Sequence, residues 1–133
     1  ILSKEGYRPV IIEHDCEWIK SHRYSNGIEP KTKEAAILQD ADRLDVLGAI
    51  TIGRIFGRAA VKKIPMHDPN ILPAKKYPSA NAGKTAINHF KEKIAQISPE
   101  TFKTKLATDM AKDRYKYIMG FIQRFEKEWI GEI

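Results

Sequence analysis

The chain has 133 residues, of which 42% are hydrophobic and 30% charged, and its formal net charge is +6 at pH 7. This length accommodates one domain with one core, and the composition is ordinary for a soluble globular protein. No apolar run approaches the roughly 20 residues that a membrane-spanning helix needs, and the first residues lack the apolar core and cleavage site of a signal peptide. The single cysteine, Cys16, excludes an internal disulfide and suits a reducing cytoplasm.

The spacing of apolar residues predicts a first helix from Pro9 to about Arg23. Proline suits the first helical turn, and the following Asn26-Gly27 is a turn signal. A central helix is predicted from Lys31 to about Arg58, with a kink at Gly48 or Gly53. Its second half is apolar on almost every side, which is typical of a helix that other helices cover.

Four prolines between positions 59 and 83 predict a long irregular loop. A third helix is predicted from Thr85 to Ile97. The pair Ser98-Pro99 then predicts the start of a last helix, which should run to about Trp129. Alternating β-branched residues over four or more positions are missing from the sequence. The predicted fold class is therefore all-α, with residues 1–133 forming a single domain.

Two aspartates lie in an apolar row of the central helix. This row contains Leu38, Asp42, Asp45, Ala49, Ile52 and Phe56. Burial of an isolated charge is unfavourable, so acids in such a row are usually paired, protonated or bound to a metal. Asp40 lies on another side of the helix and has Arg43 three residues later, which favours a structural ion pair.

The run Leu38–Asp45, with the sequence LQDADRLD, and the residues Leu47–Ile50 after it resemble the last motif of HD-domain phosphohydrolases. The similarity is greatest to the small bacterial HD hydrolases that act on nucleotides or other phosphate esters. The resemblance implies an HD-domain-like helical bundle. In that superfamily a His, an adjacent His-Asp pair and a distant Asp hold a divalent metal, and the distant Asp corresponds to Asp42. The first His and the His-Asp pair are expected upstream of Ile1, so the sequence is interpreted as the C-terminal part of such a domain.

The resemblance extends to the region of Ile19, His22 and Ser25 and to the later segments His89–Lys93 and Glu128-Trp129. It implies metal-assisted hydrolysis with Mn²⁺, Mg²⁺ or a similar ion, in which the metal activates a bound water.

Each candidate residue has a functional role and an ordinary structural alternative. Asp42 would be a metal ligand, and Asp45 or His22 would orient the nucleophile. Lys93 and Arg114, together with His89, would bind the phosphate. Alternatively, Asp42 is a helix-surface acid paired with a lysine or arginine, Asp45 makes a core hydrogen bond, His22 ends a helix, and Lys93 and Arg114 are surface charges. Weaker phosphate candidates are Arg54 and Arg58.

The dipeptide His14-Asp15 has the letters that name the superfamily, but it is interpreted as the solvent face of an ordinary helix. It lies too close to Asp42 for the family pattern, and no earlier His completes the ligand set.

An alternative function is a non-catalytic basic module that binds nucleic acid or an acidic partner through lysines at 62–63, 75–76, 103 and 105. These charges are scattered over loops and helix faces without a recognition-helix pattern, which favours the enzyme. A small phosphorylated substrate, most simply a nucleotide, is the expected partner. The apolar sides of the central helix also predict an exposed apolar patch, which a homodimer could cover.

Overall fold

A computed structural model describes residues 3–75, 77 and 82–133. The described residues form helices and connecting turns without a strand, so the predicted all-α fold class is confirmed. The α-helices are α1 (Pro9–Ser21), α2 (Lys33–Leu44), α3 (Ala49–Val61), α4 (Ala86–Glu92) and α5 (Lys105–Trp129). Short 3-10 turns cover Tyr24–Asn26, Ile94–Gln96 and Pro99–Thr101. Lys76, from the lysines of the predicted basic module, and Pro78, from the predicted irregular loop, lie outside the described residues.

The predicted central helix is two helices, because the chain turns between Leu44 and Ala49. Gly48 adopts a φ of 93°, in the left-handed region that residues with a side chain rarely occupy. A Cβ at this position would lie 3.3 Å from Cγ of Arg114, whose Nη1 donates a hydrogen bond of 2.9 Å to the carbonyl of Leu44. The expected kink at Gly48 is therefore a complete break, and an arginine from α5 fills the junction.

The face of α2 that contains Asp42 and Asp45 points to solvent, so the expectation that it is buried was wrong. Asp42 is exposed, and the side chain of Asp45 is 65% exposed. The buried face instead consists of Ala35, Gln39, Asp40 and Arg43. Polar side chains can occupy a buried face when other segments satisfy their hydrogen bonds, and apolar spacing alone does not reveal such partners.

Asp40 and Arg43 connect α2 to the start of α5. The carboxylate of Asp40 accepts hydrogen bonds from the amides of Lys103 (3.0 Å) and Thr104 (2.7 Å) and from Oγ1 of Thr104 (2.8 Å). Arg43 donates to the carbonyl of Thr101 at 2.6 Å and also to its hydroxyl. Both residues have a structural role, as expected. Their partners are Thr101, Lys103 and Thr104, before α5, and the ion pair predicted between Asp40 and Arg43 does not form.

The core lies where α3, α4 and α5 meet. Its buried side chains include Ile87, Phe90, Ile94 and Ile118. The ring centroid of Phe56, from α3, is 5.8 to 6.0 Å from the centroids of Phe90, Phe121 and Phe125. Such aromatic contacts add to the stability that area burial provides. None of the helices in the described ranges is long and apolar enough to cross a membrane.

The last helix begins later than predicted. Ser98-Pro99 starts a 3-10 turn, and α5 begins after Thr104, whose side chain accepts a hydrogen bond from the amide of Ala107. The third helix is likewise shorter than predicted, ending at Glu92 before the turn Ile94–Gln96. Apolar side chains of the central segment are exposed at Leu38 (41%), Ile50 (76%) and Val61 (85%).

Polar side chains of α4 hold the irregular loop that follows α3. Nδ2 of Asn88 donates to the carbonyl of Ile71 at 2.7 Å. The carboxylate of Glu92 accepts hydrogen bonds from the amides of Ala74 (2.7 Å) and Gly83 (2.6 Å). Asn88 and Glu92 are 2% and 1% exposed. The described part of this loop therefore has a defined position against α4.

Candidate functional site

A cavity of about 650 Å³ lies between α3, α4 and the irregular loop. Its cationic and titratable lining residues are Arg54, Arg58, Lys62, His89 and Lys93. Arg54 and Arg58 on α3 and Lys62 directly after it are spaced four residues apart, so they follow one side of that helix and its end. His89 and Lys93 show the same spacing at the end of α4. We call this space the cationic cavity.

The opening of the cationic cavity adjoins the C-terminal end of α2. Arg54 forms an ion pair with the carboxylate of Asp45 and also donates to the Asp45 carbonyl at 3.3 Å. Thr51 donates to the same carbonyl at 3.0 Å. Asp45 is thus connected to the cavity through Arg54, although its own side chain is outside the lining.

His89 is half-buried in the cavity wall. Burial lowers the pKa of its imidazole, and the positive charges of Lys93 and Arg58 lower this pKa further, against a smaller opposing effect of Glu92. A neutral imidazole is therefore favoured at neutral pH. A bound anion would oppose the effect of the two cations, so binding of phosphate should favour the protonated ring.

An aromatic side chain also lines the cavity. The ring of Tyr77 contacts His89 edge to face, with centroids 5.7 Å apart and an interplanar angle of 72°. Nζ of Lys93 lies 5.8 Å from the Tyr77 centroid. Ala82 and Gly83 continue this wall. The cavity therefore combines cations with an uncharged surface.

A metal site is not complete within the described residues. No group of three or more His, Cys, Asp or Glu side chains that could hold a metal ion occurs among them. Asp42 is exposed on α2 and offers a single carboxylate, whereas a catalytic metal needs three or more protein ligands. The side chains present here therefore do not fit a metal by themselves.

The remaining predicted residues lie at other positions. His22 follows α1, and its Nδ1 contacts the carbonyl of Ile19. Arg114 occupies the junction of α2 and α3. His14 is exposed on α1, as expected for a solvent face. Of the predicted catalytic and substrate-binding residues, the structure brings His89 and Lys93 together in one cavity, and it connects Asp45 to that cavity.

From the sequence, Arg54 and Arg58 were ranked below Arg114, Lys62 was named only for the basic-module alternative, and Tyr77 was not proposed. The regular spacing of Arg54, Arg58 and Lys62 was a signal that could have identified this side of α3. No comparable signal was available for Tyr77, because its place in the wall depends on how the loop folds against α4.

The chain is similar to several known proteins and solved structures. No family model matches the chain. The uncharacterized protein YpgQ of Bacillus subtilis is 28% identical over 103 residues, which are 77% of this chain and 43% of that protein. A solved HD-superfamily hydrolase from Bacillus thuringiensis is 38% identical, with a TM-score of 0.61 over 72% of this chain and 46% of that one.

Two further structures cover nearly the whole chain. A protein from Lactobacillus plantarum is 28% identical, with a TM-score of 0.76 over 98% of this chain and 64% of that one. YpgQ in complex with ADP is 23% identical, with a TM-score of 0.69 over 96% of this chain and 59% of that one. The chain thus spans about half the length of the proteins it matches. The predicted resemblance to HD-superfamily hydrolases is confirmed at the level of the fold.

Proposed function

We propose that this chain, which shares its fold with an HD-superfamily hydrolase, provides the phosphate-binding cavity of a metal-dependent enzyme that hydrolyses a nucleotide or another small phosphate ester. The observation that carries the proposal is the cationic cavity, where Arg54, Arg58, Lys62 and Lys93 line one concave space. Cations grouped in a cavity are suited to a small anion. The basic-module alternative would more naturally place them along an outer surface.

The residues of the cavity have distinct roles in this proposal. Arg58 on α3, Lys62 directly after α3 and Lys93 directly after α4 would approach a bound phosphate and offset the negative charge that develops during hydrolysis. The planar guanidinium of an arginine can bind two phosphate oxygens at once. A bound anion would oppose the charges of Lys93 and Arg58 that lower the pKa of His89, and it would favour the protonated ring.

Asp45 and Arg54 form a pair that substrate could rearrange. In the free chain Arg54 contacts the Asp45 carboxylate, and a phosphate in the cavity would compete for the same guanidinium. Release of Asp45 would leave an exposed carboxylate beside the phosphate, where it could orient a water. Asp45 is therefore our candidate for that role, and His22 stays a prediction because it does not line the cavity.

Asp42 is our candidate metal ligand, with Mn²⁺ or Mg²⁺ as the ion. Since the described side chains do not complete a site, the proposal requires further ligands from residues outside the 133-residue chain. The motif around Asp42 and the B. thuringiensis HD-superfamily hydrolase support this assignment. The structure of YpgQ in complex with ADP supports a nucleotide as the ligand.

The proposal is tested in the full-length gene product by release of phosphate from ADP and GDP in the presence of Mn²⁺ or Mg²⁺. Asp42→Asn should lower kcat/KM by more than about 100-fold, because even outer partners of metal ligands affect activity by about 10-fold to 100-fold. The matched control is Asp109→Asn, an exposed acid on α5 that pairs only with Lys112 in the described residues. Equal activity of the two variants would contradict the role of Asp42.

A second variant tests the cavity itself. Arg58→Gln should weaken binding of inorganic pyrophosphate about tenfold, since a hydrogen bond to a charged group contributes about 1.5–3 kcal/mol. Arg124→Gln, which removes an arginine paired with Glu128 on the surface of α5, should have little effect. Salt-sensitive binding of nucleic acid without hydrolysis of any nucleotide would favour the basic module instead.

A further inference from the structure

A buried carboxylate next to the cationic cavity has no role in the function proposed so far. Glu92 is 1% exposed, and it does not line the cavity. Its two carboxylate oxygens accept hydrogen bonds from the backbone amides of Ala74 and Gly83, at 2.7 and 2.6 Å. A buried carboxylate is unfavourable unless it is fully hydrogen-bonded, so these two contacts explain how Glu92 is tolerated.

The two amides belong to the loop that forms one wall of the cavity. Gly83 lines the cavity itself, together with Ala82 and Tyr77. Glu92 is also the last residue of α4, which carries His89, and Lys93 follows directly. One carboxylate therefore ties the uncharged wall of the cavity to the helix that supplies His89 and that leads into Lys93.

The two walls differ in what they offer a ligand. Arg54 and Arg58 lie on α3 and Lys62 directly follows it, and no hydrogen bond or ion pair of the described residues joins them to Glu92. The wall formed by the Tyr77 ring, Ala82 and the backbone of Gly83 is suited to a planar, uncharged group. A phosphorylated ligand in this cavity would place its phosphates toward Lys93 and the cations of α3, and its remaining part against the Tyr77 ring.

We propose that Glu92 is a positioning residue for substrate specificity: by holding the amides of Ala74 and Gly83, it places the wall containing Tyr77 and Gly83 against the non-phosphate part of the ligand. This inference rests on the proposed function, because it requires a phosphorylated ligand in the cationic cavity. It predicts that loss of the Glu92 charge affects the nucleoside part of a ligand and leaves phosphate binding nearly unchanged.

The test compares GDP with inorganic pyrophosphate by calorimetry on the full-length gene product. Glu92→Gln keeps the size of the side chain, but its amide group has one acceptor oxygen and an NH₂ that faces a backbone N–H. GDP should bind roughly tenfold more weakly, as expected when a buried charged hydrogen bond is lost. Pyrophosphate binding should change less than about twofold. Tyr77→Ala should reproduce this difference between the two ligands.

The matched control is Glu126→Gln, which removes the α5 carboxylate that contacts Lys91 of α4 and should leave both affinities unchanged. If Glu92→Gln folds poorly, Gly83→Ala provides a second route, because a side chain is strained at its φ of 69°. This variant disturbs the wall while leaving Glu92 in place, and GDP should again be affected more than pyrophosphate.

The outcomes separate the two proposals. If GDP and pyrophosphate bind the wild-type protein and both weaken equally in Glu92→Gln, Glu92 has a general structural role and the inference is overturned. If neither affinity changes, the inference is overturned as well. If neither ligand binds the wild-type protein, the proposed cavity function fails, and the inference fails with it.

Discussion

Replacement of Asp40 by Asn should destabilise the folded chain by about 3 kcal/mol, whereas the same change at Asp42 should alter stability by less than about 0.5 kcal/mol. The two residues are neighbours on α2, but they face opposite ways. Asp40 is 1% exposed and accepts hydrogen bonds from two amides and one hydroxyl at Lys103 and Thr104. Asp42 is exposed.

The estimate follows from the contacts of Asp40. Hydrogen bonds to a charged group contribute about 1.5–3 kcal/mol each, and neutral ones about 0.5–1.5 kcal/mol. An asparagine at this position weakens the bonds that it keeps and turns its NH₂ toward at least one backbone donor. It also removes a negative charge from the N-terminus of α5, which contributes about 0.3–1 kcal/mol. With an unfolding entropy near 2.1 cal/mol/K per residue, the loss corresponds to about 10 °C in Tm.

The assay is urea and thermal unfolding of the 133-residue chain, followed by far-UV circular dichroism. Asp42→Asn is the matched control, since it makes the same chemical change two residues away, on the exposed side of α2. If both variants unfold at the wild-type midpoint, the hydrogen bonds between α2 and the start of α5 contribute no net stability. If Asp42→Asn is the more destabilised variant, the assignment of the buried face of α2 is wrong.

The remaining predictions concern pH, backbone conformation and a buried arginine. Because the pKa of His89 is lowered in the folded chain, the unfolded state takes up the proton first. The stability should therefore decline as the pH falls below about 6.5, and His89→Gln should flatten this decline in urea midpoints measured from pH 7.5 downward. Gly48→Ala should destabilise the chain by about 1–2 kcal/mol, because position 48 has a φ of 93°. The control is Gly53→Ala, which lies in α3 with open space around it and should stabilise the chain by about 0.5–1 kcal/mol. The same unfolding assay should show a loss of about 2 kcal/mol for Arg43→Lys, since a lysine lacks the planar group that now lies 4.0 and 4.3 Å from two aromatic ring centroids. A stability equal to wild type would show that this stacking makes no net contribution.

Local signals in the sequence identified most of the helices. Pro9 marked the beginning of α1, and the apolar spacing after Lys105 marked most of α5, because both signals depend only on residues close in the chain. The motif around Asp42 also identified the hydrolase fold without any three-dimensional information.

Contacts between distant segments explain what the sequence did not reveal. The buried face of α2 was misjudged because Asp40 and Arg43 find their partners about 60 positions later. The late start of α5 has the same origin, since Thr104 caps the helix while it also binds Asp40. The cationic cavity was only partly predicted, because Tyr77, Ala82 and Gly83 reach it from a loop that packs against α4.

The sparse burial of α1 has a consequence for how the chain opens. Ser21 is the buried residue of this helix, and its carbonyl accepts a 2.7 Å hydrogen bond from Gln39 on α2. By contrast, Ala111 and Ile118 of α5 are fully buried. Local unfolding of α1 therefore requires far less free energy than global unfolding, and its amides should exchange with solvent earliest among the helices.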